Sequence, residues 1–79
     1  MPVRLEGDLG EVPNGMLDRV LNALDRLDQW PNVSGAKPLR GDLAGHYRLR
    51  VGDWRIVFRV EGDDVIVVRV AHRKDIYED

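Results

Sequence analysis

The sequence predicts an α+β domain in which an antiparallel meander of three C-terminal strands, joined by a short N-terminal strand, carries one helix packed on one face. Two observations lead there. Between residues 46 and 72, apolar and polar residues alternate in three runs separated by turn residues, which is the period of strands. Between residues 16 and 30, leucine and valine recur at three- and four-residue spacing, which is the period of a helix with one apolar side. With 79 residues the chain forms a single domain, 1–79, near the lower limit for a self-supporting core.

Each element has its own local cause. "MPVRL" reads as a short first strand. "EGDLGEVPNG" places three glycines and a proline in ten residues, the composition of a loop. "MLDRVLNALDRLDQW" follows, with Leu17, Val20, Leu21, Leu24 and Leu27 forming the apolar stripe of a helix. Asn14 is the expected N-cap, and Pro31 closes the far end. Asp18, Arg19, Asp25, Arg26 and Asp28 make up its solvated side. "PNVSGAKPLRGDLAG" is a connection, with Leu39 and Leu43 able to anchor it to the core.

In "HYRLRV", Tyr47, Leu49 and Val51 alternate with His46, Arg48 and Arg50. Gly52-Asp53 supplies the turn, because glycine accepts the positive φ of a tight hairpin. "WRIVFRVE" puts Trp54, Ile56, Phe58 and Val60 on one face and Arg55, Val57 and Arg59 on the other. After the turn "GDD", "VIVVRVAH" offers two sets, Ile66, Val68, Val70 and His72 or Val65, Val67, Arg69 and Ala71. Both sets are largely apolar, so alternation alone leaves the core-facing set open. The helix is expected to cover Leu49, Trp54, Ile56 and Phe58, with Arg48, Arg50 and Arg55 facing solvent.

Composition excludes several classes. The chain is 43% hydrophobic and 33% charged, as in globular proteins. It has no cysteine, and its two histidines lack metal-ligand spacing, so neither a disulfide framework nor a metal site is expected. No apolar run has membrane-spanning length and the N-terminus lacks a signal-peptide layout, so a cytoplasmic location is the expectation.

The net charge is −2, but its distribution is uneven. Residues 1–36 carry three basic and six acidic side chains, whereas residues 37–79 carry nine and eight. Several of those eight acids fall in turns or at the chain end, which leaves the strands basic.

Arg48, Arg50, Arg55 and Arg59 thus share a face over two paired strands, offset only by Glu61 and the turn aspartates. Clustered guanidinium groups repel unless an anion sits among them, and their planar forks suit phosphate oxygens. The tail "AHRKDIYED" adds His72, Arg73, Lys74 and Tyr77. Histidine transfers protons near neutral pH, and tyrosine stacks on unpaired bases. An anionic ligand is expected, either a phosphodiester or an acidic polypeptide.

The stretch "LRGDLAGHYRLRVGDWRIVFRVEGDDVIVVRVAHRKDIY", residues 39–77, resembles the RelE/ParE superfamily of toxins from bacterial and archaeal toxin–antitoxin pairs. The landmarks are Leu39 and Gly41 ahead of the first strand of the meander, "YRLRVGDWRIVF" and the closing "HRKDIY". The resemblance implies a type II toxin, closest to the RelE-type mRNA interferases. Such enzymes are endoribonucleases that inhibit translation by cutting mRNA on the ribosome. They use no metal or other cofactor: the 2′-hydroxyl attacks the adjacent phosphate and leaves a 2′,3′-cyclic phosphate.

On that resemblance Arg48 and Arg50 match a basic pair, Arg55 the arginine after the hairpin turn, and Arg73 the arginine near the C-terminus. Tyr77 matches the tyrosine that stacks on the substrate base. Arg55 and Arg73 would stabilise charge on the phosphorane, with Arg59 and Lys74 as further phosphate contacts. Arginine stays protonated at any relevant pH, which leaves His72 as the candidate for proton transfer. The implied partners are a cognate antitoxin, the ribosome and mRNA, with no membrane and no small-molecule cofactor. The superfamily also holds gyrase-directed toxins of ParE type and relatives that only bind their antitoxin, and both stand as alternatives.

Overall fold

The computed structural model describes residues 2–7, 9 and 12–76. Five strands form one sheet: β1 (Val3–Leu5), β2 (Lys37–Pro38), β3 (His46–Val51), β4 (Trp54–Glu61) and β5 (Asp64–His72). Their spatial order is β1-β5-β4-β3-β2, and one helix, α1 (Asn14–Leu27), packs on one face. Short 3-10 turns at Gly41–Leu43 and Arg73–Asp75 precede β3 and follow β5. The expected α+β arrangement, with its meander β3-β4-β5, is present.

Both hairpins turn on glycine, with φ of 59° at Gly52 and 61° at Gly62. Among the described residues no non-glycine residue has positive φ, so only the first central residue of each turn is left-handed. That is the type II′ pattern, whose twist matches that of the strands it joins.

The sheet departs from expectation at its edges. β1 runs parallel to β5, pairing Val3 with Val65 and Leu5 with Val67, so the sheet is mixed rather than antiparallel throughout. β1 and β5 are brought together by the whole intervening chain rather than by a hairpin, so nothing local imposes antiparallel pairing. At the other edge β2 adds two residues against Tyr47 and Arg48.

β5 answers the ambiguity of its two apolar sets by using half of each. Val57 pairs with Arg69 but Phe58 pairs with Val67, so a β-bulge at Val68 shifts the phase of the strand. Val65 and Val67 lie in the helix-side core and so does Val70, while Val68 and Ala71 join a second cluster. The bulge is also where β1 leaves the sheet. The backbone N–H groups of Glu6 and Gly7 both donate to the carbonyl of Val67, at 2.9 and 3.4 Å. A Cβ on Gly7 would stand 2.8 Å from the carbonyl oxygen of Val68, so only glycine allows this approach.

The helix-side core contains Leu49, Ile56 and Phe58 as expected, with Trp54 partly buried against it. Trp30 and Tyr47 close around Phe58, with ring centroids 5.2 and 5.6 Å from it. Two details of α1 differ from the sequence expectation. Its N-cap is Pro13 without any side-chain cap, and Asn14 is the first helical residue. Proline is extended here and ends the preceding loop, so the helix starts one residue before Asn14 could cap it. The stripe is also rotated: Val20, Ala23 and Leu27 are buried, whereas Leu21 is 42% exposed. Leu21 instead lines a groove with Val3, Leu5 and Leu24 over β1.

Candidate functional site

Cross-strand partners share a face, so the ladder registers assign the residues on the side away from α1. One row runs Lys37, Arg48, Val57, Arg69 across β2 to β5. The next runs Arg50, Arg55, Ala71 towards the Gly52 turn. The third, at the opposite end, runs His46, Arg59, Ile66, Arg4. The expected common face for Arg48, Arg50, Arg55 and Arg59 is therefore present, and Lys37, Arg69 and Arg4 extend it.

That face is not open, and here the expectation is corrected. Arg48 and Arg55 are only 7% and 6% exposed, while Arg50 is exposed. They are not under the helix. Leu39, Val57, Ala71 and Ile76 form a small second core on this side, with Leu43 and Val68 packed against it. The segments ahead of β3 and after β5 thus fold over the middle of the face. A half-covered sheet of this width still exposes apolar Val57 and Ala71 positions, and Leu39 and Ile76 bury them. The two arginines share this face, in the same cross-strand rows as Val57 and Ala71.

Arg55 and Arg73 converge on one turn. The Nη1 of Arg55 donates to the carbonyls of Gly52 and Trp54, at 3.0 and 3.1 Å. The backbone N–H of Arg73 donates to the carbonyl of Asp53 at 2.7 Å, and its guanidinium stands 3.8 Å from the Asp53 carboxylate. Residues 52–54 therefore hold both guanidinium-bearing positions, one buried and one 63% exposed. Lys74 lies exposed on the same 3-10 turn as Arg73. Arg50 sits at the β3 edge and lines a groove with Arg19 and Arg26 of α1.

The remaining predicted residues stand apart from that pair. Arg59 is engaged by Glu6 at 2.6 Å and by Glu61 at 3.1 Å. The hydrogen bonds to Glu6 and then Glu61 raise its pKa above the ordinary arginine value. Together with the Arg4–Asp64 pair at 3.2 Å, these acids neutralise the third row, so the positive field is concentrated in the other two. Glu61 was a visible neighbour, but Glu6 arrives from 53 residues away. His72 pairs with Trp54, its ring edge-on to the indole at a centroid distance of 5.6 Å. That places it on the helix side of the sheet, across from Arg55. Its Nδ1 accepts the Lys74 N–H at 3.3 Å, so Nε2 carries the proton of the neutral ring. Tyr77 lies outside the described residues.

Between the two 3-10 turns the face holds a cleft of about 600 Å³. Val57, Val68, Leu43 and Ile76 supply its apolar lining, and Arg40, Asp42, Arg69 and Asp75 its charged one. None of these four charged residues was predicted as part of a site. Arg69 hid behind the bulge, which puts it in register with Val57 and Arg48. Arg40 and Lys37 were visible as basic residues in "AKPLRG", but only the fold shows that this connection returns to the sheet. Among the described residues no group of three or more His, Asp or Glu side chains is placed to hold a metal ion. Among the described residues no helix is long and apolar enough to cross a membrane.

Comparison with known proteins gives a consistent result. The family model for the ParE toxin of the type II toxin–antitoxin system parDE matches residues 5–77. The chain is 38% identical over 73 residues to toxin RelG of Mycobacterium tuberculosis, spanning 89% of this chain and 83% of that one. It is 34% identical over 74 residues to toxin RelE3 of Methanocaldococcus jannaschii, spanning 90% and 84%. Among solved structures it resembles a chain of the M. tuberculosis toxin–antitoxin complex RelBE2, with a TM-score of 0.77 and 32% identity over 91% of this chain and 96% of that one.

Proposed function

From the premise that this chain belongs to the RelE/ParE family of type II toxin–antitoxin toxins, we propose that it is an endoribonuclease that arrests translation by cutting mRNA held on the ribosome. The observation that carries the proposal is the pair of basic rows, Lys37, Arg48, Arg69 and Arg50, Arg55, on one side of the sheet. Next to them, Arg73 and Lys74 stand exposed at the end of β5. A strand of RNA laid along the exposed members of these rows, Lys37, Arg50 and Arg69, brings its phosphates to cations that the fold has already positioned, while Arg48 and Arg55 add positive field from below.

The chemistry this arrangement supports is mainly electrostatic. The 2′-hydroxyl gives its proton to water and attacks the adjacent phosphorus. The bond to the 5′-oxygen breaks, that oxygen takes a proton from water, and negative charge builds meanwhile on the non-bridging oxygens. In the proposal Arg73 meets that charge directly, because its side chain is exposed. Arg55 is held rigidly beside it by the turn carbonyls. Donors fixed before the reaction cost no reorganisation during it. The Nε2–H of neutral His72 is suited to hydrogen-bond the departing 5′-oxygen rather than to abstract the 2′-proton. Reaching that atom requires an approach round the end of β5. Tyr77 keeps its proposed role of stacking on a base.

The same basic rows offer a docking surface for a cognate antitoxin. RelBE2 of M. tuberculosis and RelB–RelE of Methanococcus jannaschii were solved as toxin–antitoxin complexes. By this reading an acidic antitoxin segment covers the rows and silences the toxin. The affinity should then fall with rising salt.

The deciding experiment is in vitro translation of a defined mRNA with the protein, followed by primer extension. Discrete cut ends inside the reading frame, dependent on ribosomes, are the expected result. Translation that proceeds uncut and unarrested removes the nuclease reading and leaves a toxin that acts by binding alone.

A further inference from the structure

The cleft between the Gly41–Leu43 and Arg73–Asp75 turns differs from the rest of the basic face in its charge pattern. A site for phosphate alone would be lined by cations. Here Arg40 and Arg69 are balanced by Asp42 and Asp75, around an apolar lining of Val57, Val68, Leu43 and Ile76. Val57 and Ile76 are 2% and 7% exposed, so this lining belongs to the second core and is held in place. The volume of about 600 Å³ lies within the ~300–1,000 Å³ range of small-molecule pockets.

Carboxylates repel a phosphate and accept hydrogen bonds without donating any. The groups they reward are neighbouring N–H donors on a flat apolar body. Among the RNA bases, guanine presents such a pair, N1–H and the exocyclic N2 amine on one edge, matched to the two oxygens of a single carboxylate. Adenine, cytosine and uracil each offer that carboxylate one donor beside an acceptor. We propose that this cleft holds an unpaired guanine of the bound RNA. Asp42 or Asp75 grips its N1–H and N2 amine, the apolar lining takes its ring face, and Arg40 and Arg69 take the flanking phosphates. The proposal rests on the RNA-cleaving reading above and assigns it a base preference.

The test is nucleotide binding, which is separate from cleavage. The methyl spectrum of the full-length protein is titrated with 5′-GMP, AMP, CMP, UMP and inosine monophosphate, and with a blocked arginine as a guanidinium probe. GMP is expected to bind about tenfold more tightly than AMP, the usual size of one bidentate contact. Val57, Val68 and Ile76 should shift first, and inosine monophosphate, lacking the N2 amine, should fall between GMP and AMP. Asp42→Ala or Asp75→Ala, which removes both carboxylate oxygens, should bring GMP to within about twofold of AMP.

Equal binding of all five nucleotides overturns the proposal, as does a GMP preference that survives both substitutions. Blocked arginine bound in preference to GMP also overturns it, because the cleft would then serve a protein side chain. A protein that cuts mRNA but shows no base preference loses this subsite and keeps its nuclease reading. One that binds guanine and cuts nothing does the reverse.

Discussion

Arg55 holds the carbonyl of Gly52, three residues behind it, at 3.0 Å. A side chain proposed to stabilise charge in the reaction is thus also a clamp on the hairpin that carries it. The same turn receives Arg73 through the carbonyl of Asp53. Positioning of the two arginines is therefore coupled through residues 52–54. The first two predictions separate their roles.

Arg55→Ala should lower both activity and stability. The side chain is nearly buried, and its loss leaves the Gly52 carbonyl without this donor. Gly52 is exposed, so a cost of about 0.5–1.5 kcal/mol is expected for the lost hydrogen bond, measured by urea denaturation. The rate of mRNA cutting should fall on the order of a hundredfold or more. A variant as stable as the parent would show that the clamp contributes nothing to the fold.

Arg73→Ala should separate the two effects. Its contact with Asp53 is long and both side chains are more than 60% exposed, so stability should change by no more than about 0.5 kcal/mol. The cutting rate should still drop on the order of a hundredfold. Parallel denaturation and translation-arrest assays check both halves. Unchanged arrest by this variant, together with unchanged arrest by Arg55→Ala, would remove the electrostatic mechanism.

Not every arginine of the face should matter for RNA. Glu6 and Glu61 already neutralise Arg59, whereas Lys37 and Arg69 are exposed in the central row. The logarithmic salt dependence of binding to a single-stranded RNA should lose about 0.7 in slope for Lys37→Ala or Arg69→Ala. Arg59→Ala should leave the slope as it was. Equal losses for all three would mean that RNA displaces the two glutamates.

Deleting Val68 should weaken the fold without abolishing it. In the shortened strand Val65, Val67, Val70 and His72 alternate without a break, so the helix-side core keeps its residues and Arg69 keeps its face. What is lost is the bulge and the packing of Val68 against the second core. Cooperative thermal unfolding at a lowered midpoint is the expected readout, and loss of cooperativity would show that the bulge itself is indispensable.

Much of this molecule is determined by patterns a few residues long. The alternation around Gly52 is enough to specify β3, β4 and the side of the sheet that Leu49, Ile56 and Phe58 turn to the helix. It is also enough to place Arg48, Arg50, Arg55 and Arg59 together on the other side. Tertiary structure decided the rest. The bulge at Val68 resets the phase of β5, because Gly7 and Glu6 close on Val67 from the far end of the chain. Glu6 removes Arg59 from the positive field across 53 residues, and Leu39 and Ile76 cover Val57 and Ala71, on the face that carries Arg48 and Arg55, from two separate segments. Periodicity reports which residues share a face, since that follows from the geometry of a single strand. What comes to lie on that face depends on which distant segments bury their own apolar residues there, and no local pattern encodes that choice.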